Sequence, residues 1–234
     1  MAQQPAKKSA NRKKRRAEDT AEREKVLIEP LNIEWRTSNQ RTAWKTIGNH
    51  TLTFLLGAAG SGKTFLAAAY AINEVLQKRK SKIVLTRPIV EAGEKLGFLP
   101  GTYGDKVNPY MQPIYDTMET LLGKTGPKRE YVNKAIVLAP LCYMRGRTFN
   151  DAVCLFDEAQ NASYQQIKLF LSRFGQNTQV IVTGDPTQSD LHFEKNPLLE
   201  VAQKLKGVQN IAEIRFTNDD VVRHPLVAAI LKRL

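Results

Sequence analysis

The sequence predicts an α/β fold in which a parallel sheet carries helices on both faces. Three observations lead there. Short apolar, β-branched runs such as Lys82–Thr86, Ala152–Phe156 and Gln179–Thr183 lack the alternation of a half-exposed strand, so each is buried on both sides. Helical periodicity separates such runs, clearest over Lys63–Gln77, where Leu66, Tyr70, Ala71 and Val75 line one stripe. A glycine-rich turn, Gly57–Thr64, joins the run Thr51–Leu56 to that helix as one strand–loop–helix unit.

The remaining elements follow in order. A short helix starts at an N-cap near Ser38 and turns Trp44 and Ile47 inward. After Lys82–Thr86, Arg87-Pro88 stops the strand, and an irregular stretch runs from Ile89 to about Gly104. A helix is expected over Lys106–Leu122, strands over Ala135–Ala139 and Ala152–Phe156, and a helix over Gln165–Phe174 before Gln179–Thr183. Asn210–Phe216 and a helix Pro225–Leu234 close the chain. Residues 1–25 carry almost no large apolar side chains, and seven of the ten residues from Lys7 to Arg16 are Lys or Arg. They read as a disordered basic tail, leaving 26–234 as a single domain.

Of the 234 residues, 42% are hydrophobic and 25% charged, enough apolar matter for one packed core. No apolar run reaches the ~20 residues of a membrane span, and no apolar leader opens the chain. Cys142 and Cys154 stand alone without C-x-x-C spacing, which fits a reducing, cytoplasmic setting. His50, His192 and His224 are scattered and form no ligand pattern. The net charge of +12 is not confined to the tail, so the folded part also favours an anionic partner, with nucleic acid foremost.

Gly57–Thr64 reads GAAGSGKT and satisfies G-x-x-x-x-G-K-[ST]. The cradle extends over Gly57, Ala58, Ala59, Gly60, Ser61, Gly62, Lys63, Thr64 and Phe65. Its glycines permit backbone angles that turn successive N–H groups toward phosphate oxygens, and the helix opening at Lys63 adds its positive end. Lys63 offers a point charge to β- and γ-phosphates, and Thr64 a hydroxyl to Mg²⁺.

Val153–Gln160 (VCLFDEAQ) delivers two carboxylates at a strand end, the edge where such sheets bind ligands. Asp157 would hold the metal, and Glu158 would orient and deprotonate a water. Taken alone, the pair would read as a helix cap and a first-turn acid. Val180–Gln188 ends at the same edge, where Gln188 suits a sensor of the γ-phosphate and Asp185-Pro186 also reads as an ordinary turn.

These elements in this order resemble the PhoH-like proteins, P-loop ATPases akin to the first motor domain of superfamily 1 helicases. The resemblance rests on Arg87–Gly101, Lys106–Asp116, Ala139–Ala152, Asp157–Asn161, Thr183–Leu191 and Phe216–Val227, over roughly residues 35–234. It implies a RecA-like core, ATP with Mg²⁺, and work on RNA or DNA. It also assigns Lys63 and Thr64 to phosphate and metal, Asp157 and Glu158 to the acidic pair, and Gln188 to the sensor. Some members carry a fused ribonuclease or RNA-binding domain, for which 234 residues leave no room, so nuclease activity is not expected.

Arg145 and Arg147, flanked by Tyr143 and Phe149, suit single-stranded nucleic acid; alternatively the arginines pair with acids and the rings join the core. The long Ile89–Gly104 stretch is a second candidate surface. Hydrolysis of this kind is accelerated by an arginine reaching in from outside the cradle. A hexameric ring would supply one from a neighbour, Arg173 first and Arg223 second, although either also fits a plain helix-end cation. Two functions follow: an oligomeric ATP-driven motor on RNA or single-stranded DNA, or a nucleotide-gated binding module without unwinding.

Overall fold

The computed structural model describes residues 30–88, 103–188 and 196–222, with side chains described for all of these except 103–111. The predicted tail, the stretch 89–102, the closing helix Pro225–Leu234 and Arg223 lie outside the described residues. Helix α1 spans Ser38–Asn49 and is capped one residue earlier than expected, by Thr37, whose side chain accepts the N–H of Gln40. Strand β1 is Leu52–Gly57, helix α2 Lys63–Leu76, strand β2 Lys82–Thr86 and helix α3 Tyr103–Leu122. Strand β3 is Ile136–Leu138, β4 Ala152–Phe156, helix α5 Tyr164–Leu171, strand β5 Thr178–Gly184 and β6 Ile211–Phe216.

Two helices were not anticipated. Helix α4, Pro127–Ala135, opens with proline at its first turn, carries Glu130 early and Lys134 late, and buries only Val132. The early proline and the dipole charges stabilise it without the apolar stripe that periodicity detects. Helix α6, Pro197–Lys204, starts from Asn196, whose side chain accepts the N–H groups of Leu198 and Leu199, and it buries Leu198, Val201 and Ala202.

All six strands run parallel in the order β3-β2-β4-β5-β1-β6. Because strand side chains alternate, each strand feeds two cores. Leu55, Ile83, Leu85, Val153, Leu155 and Ile181 pack with α1, α2, α3 and α4. Phe54, Leu56, Val84, Cys154, Phe156, Val180 and Val182 pack with α5, α6 and the segment from Ala139 to Phe149. The sheet is therefore covered on both faces, the arrangement of RecA-like P-loop ATPase cores. It sets β4, β5 and β1 side by side, so their C-terminal ends share one edge.

Candidate active site

Gly57 ends β1 beside Phe216 of β6, with φ +142°, and an added Cβ would stand 2.2 Å from the Phe216 carbonyl oxygen. Only glycine fits that approach. The chain then turns through the cradle into α2, whose N-cap, Gly62, is left-handed at φ 83°. Lys63 is buried and folds back over the loop, its Nζ donating to the carbonyls of Gly57 at 2.6 Å and Ala58 at 2.9 Å. Ser61 is fully buried, and its Oγ also donates to Ala58 at 2.8 Å.

The ends of β4 and β5 close the site. Thr64 Oγ1 donates to Asp157 Oδ1 at 2.8 Å, and Thr183 Oγ1 donates to the same oxygen. Asp157 is thus a buried carboxylate held by two hydroxyls beside the cradle. Glu158 is in the left-handed region at φ 53°, which turns its side chain away from the strand line. One of its oxygens accepts from Gln160 Nε2 at 2.5 Å, and the other lies 3.5 Å from the Arg87 guanidinium. A cleft of about 260 Å³ gathers Ala59, Gly60, Gly62, Lys63, Thr64, Phe65, Asp157, Glu158 and Gln188.

Residues 32–234 match the PhoH-like protein family. A PhoH-like protein of Bacillus subtilis (strain 168) is 45% identical over 202 residues, covering 86% of this chain and 63% of its own length. Protein PhoH of Escherichia coli (strain K12) is 40% identical over 186 residues, covering 78% of this chain and 52% of its own. The chain belongs to the PhoH-like family. It spans about half to two-thirds of the length of these relatives. Among solved structures, the large terminase of a thermophilic bacteriophage shares the fold with a TM-score of 0.55 at 14% identity, over 88% of this chain and 50% of the terminase.

The donor set of this PhoH-like protein fits a nucleotide's phosphates with a divalent ion. Among the described residues no cluster of three His, Cys, Asp or Glu could hold a metal unaided. A small hard cation bound by one carboxylate, one hydroxyl, water and phosphate oxygens needs no such cluster. Thr64 and Asp157, hydrogen bonded to each other beside the cradle, are placed to supply that share.

Several contacts went unread in the sequence. Asp185, taken there as a turn residue, is buried, and its carboxylate accepts from the Ala59 N–H at 3.0 Å. Gln160 joins Glu158 to β5, its Oε1 accepting the Asp185 N–H at 3.1 Å. Gln40 of α1 donates to the Ser61 carbonyl at 3.1 Å. The only signal for Gln160 was its place beside the acidic pair; nothing marked Gln40.

Arg173 is not brought to the cleft. It follows α5 near the N-terminal end of β5, a seven-residue strand that sets Thr178 about 20 Å from Gly184 at the other end, and its guanidinium bonds to Ser172 Oγ. Phe149 is buried, correcting its reading as a stacking ring, and Arg147 covers it at 4.9 Å. Tyr143 is exposed. A larger cavity of about 1090 Å³ lies at the N-terminal edge, where Glu74 pairs with Arg79, Lys80 donates to Asn177 and Lys45 adds a further cation. Among the described residues no helix is long and apolar enough to cross a membrane.

Proposed function

We propose that this chain hydrolyses ATP with Mg²⁺ and uses the energy to move along or remodel RNA or single-stranded DNA as a ring-forming motor. The observation that carries the reading is the convergence of Lys63, Thr64, Asp157, Glu158 and Gln188 on one cleft. Backbone N–H groups and Lys63 would cradle the phosphates, while Thr64 and Asp157 hold the metal. Glu158 would take the proton of the attacking water, and Gln188 would sense the γ-phosphate. A nucleotide-gated binding module is the other reading, and weak turnover unaffected by nucleic acid would favour it.

The arginine supplied from outside must come from a second copy if it is Arg173, given its place at the far edge of the sheet. A hexamer built on a repeated head-to-tail contact brings one subunit's far edge toward its neighbour's cleft. The test is phosphate release by Arg173→Ala and Lys63→Ala proteins, alone and mixed. Mixed rings contain some intact cradles facing intact arginines, so activity should recover on mixing. A monomer with full activity by ultracentrifugation and matched kinetics, or no recovery despite confirmed subunit exchange, would defeat the ring.

A further inference from the structure

Residues 139–150 and 159–184 contain no Asp or Glu, yet they carry Arg145, Arg147, Lys168 and Arg173. Some surface cations elsewhere find carboxylates: Arg79 meets Glu74, Lys204 meets Glu200 and Arg215 meets Glu213. Among the described residues none of these four forms an ion pair. Arg147 lies over the Phe149 ring and Arg173 contacts a hydroxyl. An acid-free cluster of cations repels itself and gains from a polyanion laid across it.

The surroundings narrow the kind of polyanion. The segment from Leu141 to Phe149 runs against α5, leaving a groove of about 320 Å³ between Arg145 and the helix, lined by Gln165, Gln166, Lys168 and Ser172. Amide and hydroxyl groups stand there beside two cations. Tyr143, 58% exposed, is offered to solvent two residues before Arg145. Cations that track phosphates beside an exposed ring make a stacking platform, which a duplex, with its bases already stacked, cannot use.

We infer that Tyr143, Arg145 and Lys168 form a binding surface for single-stranded nucleic acid. The inference rests on the proposed nucleic-acid function and gives it a place. The surface lies on the sheet face served by α5, a helix that begins at Tyr164, shortly after Glu158. A strand held there therefore grips the element that follows the acidic pair.

The full chain provides the test, with fluorescent oligouridylate and oligothymidylate as probes. Tyr143→Ala should weaken binding at least about fivefold, the loss of one stacked base. Arg145→Ala/Lys168→Ala should flatten the logarithmic salt dependence by about 1.4, two phosphate contacts of a single strand. Turnover without nucleic acid should not change in either variant. Cys142, exposed next to Tyr143, should be shielded from maleimide by bound oligonucleotide. Cys154, buried and with its thiol pushed up to about 12, should resist labelling throughout.

A wild-type chain that binds neither probe defeats the nucleic-acid function itself. Tight wild-type binding that both variants retain, with Cys142 still labelled, defeats this surface alone. Equal weakening for heparin and for oligonucleotide, with no effect of Tyr143→Ala, would make it a general anion patch and overturn the inference.

Discussion

The carboxylate of Asp185 accepts the backbone N–H of Ala59 at 3.0 Å, tying the end of β5 to the middle of the phosphate cradle. The same carboxylate accepts the N–H of Thr187 at 3.0 Å and its hydroxyl at 2.6 Å. One buried side chain therefore shapes both the cradle and the loop that leads to Gln188.

Replacing Asp185 by alanine leaves those donors without their acceptor, at a cost of about 1–3 kcal/mol. Asp185→Ala should lower thermal stability and weaken ATP binding about tenfold by calorimetry. Asp185→Asn keeps one acceptor oxygen and should recover part of both. If the alanine variant binds ATP like the wild type, the bond to Ala59 does not shape the cradle.

Glu158→Gln keeps the shape of the side chain and removes its capacity to take a proton. ATP should remain bound while turnover falls by about 10²–10⁴, the usual share of a general base. A fall of less than about tenfold in single-turnover assays would assign the proton to another group.

Gly57→Ala tests the packing of β1 against β6. Its Cβ meets backbone at 2.2 Å, which no rotamer relieves, so a loss of about 3 kcal/mol or more is expected. In a chain of this size that lowers Tm by roughly 6–12 °C. An unchanged melting curve would mean that the two strand ends do not approach so closely.

Deleting residues 2–25 should leave basal turnover intact and weaken nucleic-acid binding. With seven cations over Lys7–Arg16, the logarithmic salt slope should fall by up to about 5. Identical slopes with and without the segment would remove it from the contact.

The sequence showed best what depends on short-range pattern. Strands β2 and β4 match their expected bounds, β1 and β5 differ by one residue at each end and β6 by one at its start, because continuous apolar runs between turn residues have sharp limits. Strand β3 is shorter than Ala135–Ala139 because Ala135 ends α4 instead. The cradle and acidic pair were legible because each is a local string with one chemistry. The network around them was not, since Gln40, Thr183 and Asp185 acquire partners only when the strands take their order. Arg173 was visible as a cation, but its end of the sheet was not.

The position of β1 bears on how the chain reaches its fold. Leu52 pairs on one side with Val180 and on the other with Ile211, so the strand made first in the sheet gains neighbours only from its last two. Contacts so distant in sequence form slowly, because a long loop must close before they reward it. During synthesis, β2 can find β3 and then β4 while β1 still waits. The phosphate cradle, made before β2 to β6, is then among the last of these segments to take shape, and a nascent chain ending before residue 178 lacks the strand end whose Asp185 accepts the Ala59 N–H.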